Sequence, residues 1–444
     1  MRILILDVKS NGLDLALRCR AAGHDVQWYD QPDKKNGWPK AGHGMFRKIQ
    51  DYDDLRRRWL WWADLVVCMD NAIYLEMLQP YRMQGVRIWG CTPENVKLEL
   101  DRDMGQKAMA KAGMQVIPTK RFYSYTDAIA FVKKNPQYLV SKPSGDAAKT
   151  LSYVAHDAGD LVFMLEKWSK KPELVAAARK YGFILQEKKK GCEMAAGAWF
   201  GPGGFGKWIC ENWEYKKFMN DDLGMTTGEQ GTLARCVTKS KLADQVVFPL
   251  EEQLHKIGYV GYVDVNCIID EDGPWPLEFT LRDGCPVRYN MTALRKSDPA
   301  QYMLDFIEGR DTQDFHDDVS VSVVVSIPHY PVSDLTAKEV QGFPLYNLGN
   351  DDNVHLVEVM QGVAPTLVGN KVVDLPCIVT SSDYVYVATG CGQTITGARR
   401  SAYSTIRRIK IPNSPQYRTD IGAGRFKQQL PIIQAAGYAK GLSY

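Results

Sequence analysis

The feature that most narrows the fold stands at the start of the chain. "RILILDV" is a continuous apolar run, "KSNG" breaks it, "LDLALRCRAAG" follows a helical pattern, and "HDVQWYD" is a second strand. A strand without polar alternation is buried on both faces, and a helix between two such strands makes a crossover connection. The opening therefore predicts a parallel, doubly wound sheet. "ADLVVCMD" (63–70) and "VRIWG" (86–90) extend it, with "NAIYLEMLQPYRMQ" between them, and the unit ends near Pro93. No G-x-G-x-x-G follows the first strand, so a dinucleotide site has little support.

Beyond it, "ENVKLELDRDMGQKAMAKAG" (94–113) predicts a long helix, and short strands and helices then alternate to about residue 190, as in a small lid. A mixed region with the loop "NDDLGMTTGEQGTL" and the paired strands "VDVNCIID" and "WPLEFTL" follows. After "HDD" (316–318) strands dominate, and a helix over "TITGARRSAYSTIRRI" precedes a Gly-rich basic tail. The expected regions are 1–96, an α/β domain; 97–190, linker helix and lid; 191–318, a central catalytic domain; and 319–444, a β-rich domain.

With 45% hydrophobic and 24% charged residues the composition is that of a globular protein. The net charge of +3 gives no indication of nucleic-acid binding. Ten Cys without a CxxC pair and seven dispersed His argue against zinc and read as reduced thiols of a cytoplasmic protein. No signal peptide and no membrane-length apolar run is seen, so no membrane partner is expected.

Three groups of residues carry chemistry. Asp264 in "GYVDVNCIID" and Glu278 in "PLEFT" lie on strands joined by the tight turn "DEDG". Two carboxylates on one hairpin face repel unless a cation lies between them, and oxygen ligands suit Mg²⁺. Lys142 ends the strand in "YLVSKPSGDAAKT", where a small-residue turn exposes N–H groups to phosphate and Lys142 or Lys149 supplies charge. "MTTGEQGTL" (225–233) offers hydroxyls, glycines and an acid, which suit a carboxylate- or amine-binding loop or an ordinary turn.

The order of these motifs resembles the ATP-grasp ligases, and among them the phosphoribosylamine–glycine ligase family, over nearly the whole chain. The resemblance implies an ATP-grasp fold of mixed α/β and α+β class: a doubly wound N-terminal domain, a small lid, a central ATP-grasp domain and a β-rich C-terminal domain. "LELDRDMGQKAMAKAGMQVIPT" is similar to the family's helix leading into the lid, with Arg102 where the family has a phosphate-contacting Lys. "LVSKPSGDAAKTLSYV" resembles its phosphate-covering loop, placing Lys142 and Lys149. "ILQEKKKGCEMA" resembles the adenine hinge, with Glu187 in the hinge and Glu193 at the ribose hydroxyls. "TTGEQGTL" resembles the Asn-Thr-Gly-Gly-Met-Gly loop near the amino-acid site, implicating Thr226, Thr227, Gly228, Glu229 and Gly231. "PLEFTLRDGCP" resembles Glu-Phe-Asn-Cys-Arg-Phe-Gly-Asp-Pro, keeping Glu278, Arg282, Gly284 and Pro286. "IPHYP" and "QYRTDIGAG" resemble the family's C-terminal domain.

The implied activity is transfer of the ATP γ-phosphoryl to a small amino acid, foremost glycine, followed by amide formation with an amine. Lys142 and Arg102 would hold phosphoryl oxygens, Asp264, Glu278 and Thr280 would hold Mg²⁺ or Mn²⁺, and Arg282 with Gly284 would meet the reacting carboxylate. Departures cluster at the acceptor end. The family's Gly-Gly-Arg-Glu loop after the first strand reads "DVKSNGLD", its second metal-binding Asn is Thr280, its Asp after Gly is Cys285, and a loop Gly is Glu229. They point to an acceptor other than phosphoribosylamine: an amine-bearing small molecule, a modified nucleoside or nucleotide, or a nucleic-acid base. A genuine phosphoribosylamine–glycine ligase and an inactive binding protein of the same fold are the alternatives. A monomer or homodimer is expected.

Overall fold

The structure is a computed structural model that describes residues 1–32, 37–143, 152–332, 338–412 and 414–444. Four strands, β1 (Arg2–Asp7), β2 (Asp25–Asp30), β3 (Leu65–Cys68) and β4 (Ile88–Trp89), form a parallel sheet in the order β2-β1-β3-β4. Only the first residue of β1 is exposed, as its unbroken apolar run requires. The helix Leu13–Ala21 carries Asp14 in its first turn and Arg18 and Arg20 in its last, matching its dipole.

The segment expected as a lid is an antiparallel sheet of β5 (Thr119–Phe122), β6 (Tyr138–Pro143), β7 (Tyr153–Val154) and β8 (Phe183–Glu187), in the order β5-β8-β6-β7. The helices Tyr125–Lys134 and Ala158–Ser169, capped by the side chains of Ser124 and Asp157, cover it. Phe122, Val132, Leu161, Leu165, Trp168 and Phe183 give the lid a core of its own.

The remaining strands are β9 (Cys192–Gly201), β10 (Gly204–Lys217), β11 (Thr226–Val237), β12 (Gly261–Asp270), β13 (Gly273–Thr280), β14 (Val319–Ser326), β15 (Val354–Leu356), β16 (Val359–Val368), β17 (Lys371–Thr380) and β18 (Tyr384–Gly392). Eight of them form one antiparallel sheet, β13-β12-β9-β10-β11-β14-β18-β15, and β16 and β17 stand apart as a ribbon. Because β14 pairs with both β11 and β18, the β-rich end of the chain continues the central sheet.

The segment expected as a loop over 226–231 belongs to β11. Lys217 pairs with Thr226 and Tyr215 with Gly231, so residues 227–230 face the single residue Lys216 and form a wide bulge. Thr and Gly give this stretch its turn-like composition, while the flanking pairs keep it in the sheet. Among the described residues no helix is long and apolar enough to cross a membrane.

The helix Ile395–Arg408 packs on β18 at Gly390, where a Cβ would overlap Ala402 N and Ala398 O. Gly390→Ala therefore forces the helix off the sheet. A loss of about 1–3 kcal/mol is expected, read as a lower urea midpoint at unchanged m-value.

Candidate active site

The polar face of the large sheet is built by alternation. Glu193 on β9, Asn212, Glu214 and Lys216 on β10, Asp264 and Asn266 on β12, and Glu278 and Thr280 on β13 all point the same way, as their registers require. β9 contributes only Ala195 and Gly197 between its neighbours, so side chains of β10 and β12 meet above it. Asn212 Nδ2 thus reaches Asp264 Oδ2 at 2.8 Å, and Tyr262 OH donates to the same oxygen at 2.9 Å.

Lys216 organises the centre. Its ammonium lies 2.8 Å from Glu214, 3.2 Å from Glu193 and 3.8 Å from Glu278. Burial opposes its charge, yet Glu214, Glu193 and Glu278 together hold the group well above the usual lysine range. Glu193 also accepts from Asn266 Nδ2 at 2.8 Å and faces Arg425 at 3.9 Å. Burial raises its pKa, but Lys216 and Arg425 outweigh it and leave the carboxyl below its ordinary range.

Glu278 pairs with Arg102, at the start of the helix Arg102–Lys111. Lys142, near the end of β6, lies within electrostatic range of Glu278, Arg102, Lys216 and Glu193. Burial brings its pKa down to about 8, partly offset by Glu278. Asp264 is buried, and its carboxyl is pushed up to about 7 by burial and by the charge of Glu214. The lid, the linker helix and the central sheet thus deliver Lys142, Arg102, Glu193 and Glu278 to one place. Lys149 lies outside the described residues. Glu187 ends β8, its N–H donating to Pro118 O at 3.1 Å. Beyond it, Lys188 binds Ala155 O and Lys189 sits 3.6 Å over the Trp275 ring, which ties the basic hinge to lid and hairpin.

The bulge adjoins this cluster. Thr227 Oγ1 donates to Lys216 O at 2.9 Å, Gly228 is exposed with open space around it, and Thr226 is half-buried. Glu229 is buried, accepts from Thr232 Oγ1, and is pushed well above the carboxylate range by burial and by Glu214. Gly231 is packed against Ser322 O and Ile421, so it fits the sheet and is not an exposed loop glycine. Arg282 lies at the other edge, 3.9 Å from Glu99, in a cleft bordered by Met69, Gly90 and Cys91. Gly284 packs on Val287.

Sequence reasoning missed Glu214, Lys216, Asn266 and Arg425. Only the alternation of Glu214 and Lys216 in "ENWEYKK" hinted at the first two. Arg425 comes from the C-terminal tail, beside the buried Arg418, which pairs with Asp222 at 2.9 Å and Asp420 at 2.7 Å and braces the turn before the bulge.

At the opposite end, the turn after β1 is closed on itself. Asp7 Oδ1 accepts from Val8 N at 2.8 Å and Lys9 N at 3.1 Å, and Asp7 Oδ2 accepts from Gly12 N at 2.5 Å. Asp30 is buried beside it, takes a 2.7 Å bond from Ser10 Oγ, and lies 3.9 Å from Lys48. Burial and the neighbouring Asp7 push Asp30 up to about 7.

The donors fit a hard divalent cation. The buried Asn266 Oδ1 and Asn212 Oδ1 have no hydrogen-bond partner among the described residues, and both flank the carboxylates. Among those residues no three acidic, thiol or imidazole groups close a metal cage unaided. Mg²⁺ keeps water and substrate phosphates in its shell and so needs few protein oxygens.

A lysine from the small sheet brought to an acidic antiparallel sheet, with a parallel α/β unit at its edge, is the arrangement of the ATP-grasp fold. The chain has that fold and is similar over most of its length to the phosphoribosylamine–glycine ligases. The phosphoribosylamine–glycine ligase of Salmonella typhimurium is 25% identical over 384 residues, 80% of this chain and 82% of the relative. The crystal structure of the Thermotoga maritima phosphoribosylamine–glycine ligase matches with a TM-score of 0.72 at 18% identity, covering 95% of this chain and all 100% of that one. The biotin carboxylase domain of Hydrogenobacter thermophilus 2-oxoglutarate carboxylase, solved with MgADP and bicarbonate, matches at 0.62 and 11% identity, over 94% of this chain and 91% of that one. No family model matches the chain.

Two measurements follow from these charges. Lys216→Met leaves three acids without their shared cation and is expected to cost about 2 kcal/mol in urea unfolding. Adding Glu214→Gln should recover part of that loss, whereas strictly additive effects would show that the two groups are uncoupled. Asp30 binds its proton more tightly folded than unfolded, where the carboxyl titrates near about 3.9. Its contribution to stability therefore falls as pH rises from about 4 to about 7 and is flat above. The stability difference between Asp30→Asn and the parent should move in the variant's favour between pH 5 and pH 8.

Proposed function

We propose that the chain is an ATP-dependent ligase that activates a small amino acid, foremost glycine, as an acyl phosphate and joins it to an amine other than phosphoribosylamine. The observation that carries this reading is the convergence of Lys142 and Arg102 on Glu278, beside Lys216 and Glu193. Cations from a lid and a helix, aimed at one acidic strand end, suit a polyphosphate held between two layers of protein.

Lys142 and Arg102 hold the oxygens of the transferring phosphoryl group, with Lys149 a further cation of the same loop. Glu193 accepts from ribose hydroxyls, and the hinge at Glu187 borders the adenine. Glu278, Asp264 and Thr280 would hold Mg²⁺, with Asn266 Oδ1 beside them, and bound there the ion neutralises charge on the phosphates. Thr226, Thr227, Gly228, Glu229 and Gly231 border the amino acid. Burial and Glu214 raise the Glu229 carboxyl above its ordinary range, which lessens its repulsion of a substrate carboxylate. Arg282, with Gly284 beside it, offers a planar fork to the activated carboxylate. A carboxylate oxygen attacks the γ-phosphorus and ADP leaves. The amine nitrogen then attacks the acyl carbon, the bond to phosphate breaks, and an amide remains. The closed lid keeps water from the acyl phosphate.

The acceptor assignment draws on the turn after β1, where Asp7 occupies the N–H groups that would otherwise meet an anion. Complementation of a purine auxotroph lacking its phosphoribosylamine–glycine ligase is expected to fail, and growth without purines would restore the ordinary substrate. With ATP, Mg²⁺ and glycine, hydroxylamine should trap the acyl phosphate as a hydroxamate with matching ADP. Lys142→Ala should slow this by about 10²–10³-fold. A protein that binds ATP yet releases no ADP with any amino acid would defeat the proposal.

A further inference from the structure

A cavity of about 250 Å³ lies between the helix Leu13–Ala21, the helix Val287–Leu294 and the segment 295–303. Its polar lining includes Asp14, Arg18, Asp283, Arg288, Tyr289 and Arg295. Asp283 and Arg288 also line the cleft that holds Arg282, so the cavity adjoins the place assigned to the activated carboxylate. Its volume equals that of about eight waters, enough for a small metabolite and too little for a polymer.

Several of these groups are already engaged. Arg18 lies 3.0 Å from Asp14 and donates to Asp352 O at 2.7 Å, while Arg295 is stacked 3.7 Å over the Tyr302 ring. Asp283 Oδ1 and Tyr289 OH are different: both are buried, and neither has a hydrogen-bond partner among the described residues. Arg288 Nη2 has Met69 Sδ at 3.3 Å, a weak acceptor. Arg288, Arg295 and Arg282 lie within electrostatic range of Asp283, yet a buried carboxylate oxygen without a hydrogen-bond donor is still costly, and a ligand bearing N–H groups would relieve it. The family motif quoted above has Phe where this chain has Asp283, and Asp where it has Cys285. This chain thus has its carboxylate two positions earlier in that segment, at a residue that lines the cavity.

The turn that would ordinarily seat a phosphate is closed. In a doubly wound sheet an anion docks on the N–H groups of the turn between the first strand and its helix. Here Asp7 already accepts from Val8, Lys9 and Gly12, and a second anion would meet its charge.

We propose that this cavity receives the amine substrate, and that the substrate is a small polar primary amine without a phosphate group, its ammonium held by the Asp283 carboxylate and its acceptor groups by Arg288. The inference rests on the ligase reading above. In the joining step the nitrogen bonds to the acyl carbon, the carbon–oxygen bond to phosphate breaks, and two protons leave the ammonium nitrogen for water.

The test compares phosphate release, with ATP, Mg²⁺ and glycine, from ethanolamine and glucosamine against phosphoethanolamine, glucosamine 6-phosphate and ribose 5-phosphate with ammonia. The phosphate-free amines should lead by at least tenfold in kcat/KM. Asp283→Asn should raise the KM for the preferred amine at least tenfold while the KM for ATP stays within twofold, which also shows that the variant is folded. Preference for a phosphate ester, an unchanged amine KM in Asp283→Asn, or no acceleration by any phosphate-free amine would overturn the inference. Hydroxamate formation by the unaltered protein separates these outcomes from failure of the ligase reading, since hydroxylamine traps the acyl phosphate whether or not the cavity selects an amine. If no hydroxamate forms, the ligase reading and the inference fall together.

Discussion

The arrangement depends on one ammonium group among three carboxylates. Glu193, Glu214 and Glu278 come from three strands and would repel one another across the sheet without Lys216 between them. Such an ion cluster adds little net stability over a well-packed apolar one, because desolvation offsets most of the attraction. What it imposes is geometry. Removing any one charge leaves another uncompensated, so the strands are held in the register that puts Asn266 opposite Glu278 and Asp264 opposite Thr280. Arg102, Lys142 and Arg425 extend the cluster to the linker helix, the lid and the C-terminal helix. One local charge requirement thereby couples segments far apart in the chain.

That coupling explains what the sequence reveals and what it hides. The parallel sheet is legible because its signal is local: β1 to β4 are short apolar runs separated by helical spacing, and each folds where its period says. The β12–β13 hairpin is legible for the same reason, its two-residue turn fixing which carboxylates share a face. Lys216 is hidden because "ENWEYKK" reads equally well as an exposed strand edge, and its meaning appears only when β9 and β13 are placed beside it. Arg425 is hidden more deeply, since it meets Glu193 across more than two hundred residues. The bulge at 227–230 misleads in a third way. Its Thr and Gly composition is that of a turn, yet pairing on both sides makes it part of a strand.

The site residues taken from the family resemblance fare according to their setting. Lys142, Arg102, Glu193 and Glu278 converge, because each is fixed by a strand end or a capped helix and has a partner of opposite sign. Gly231 keeps its place for packing, and Glu187 contributes backbone. The resemblance could not indicate which of these positions were anchored by chemistry and which by the sheet, since both constraints preserve a residue in the same way.

The two ends of the site make opposite demands on charge. The end proposed for the nucleotide gathers Lys142, Arg102 and Lys216 against acids that a divalent cation could share, as a polyphosphate would require. The other end carries Asp7 and Asp30, buried together under Lys48, and Asp283 with an oxygen lacking a donor. In the turn after β1 an anion would meet N–H groups that Asp7 already holds, whereas an ammonium beside Asp283 would supply the donor its oxygen lacks and leave Arg288 for a neutral acceptor. Arg282 stands between these ends, beside Asp283 in sequence and in the same cleft as Arg288. An acyl phosphate held there would present its phosphate toward the cations and its carbonyl carbon toward the acids. On the proposed reading, an amine held by Asp283 would reach that carbon from the side away from Lys142 and Arg102.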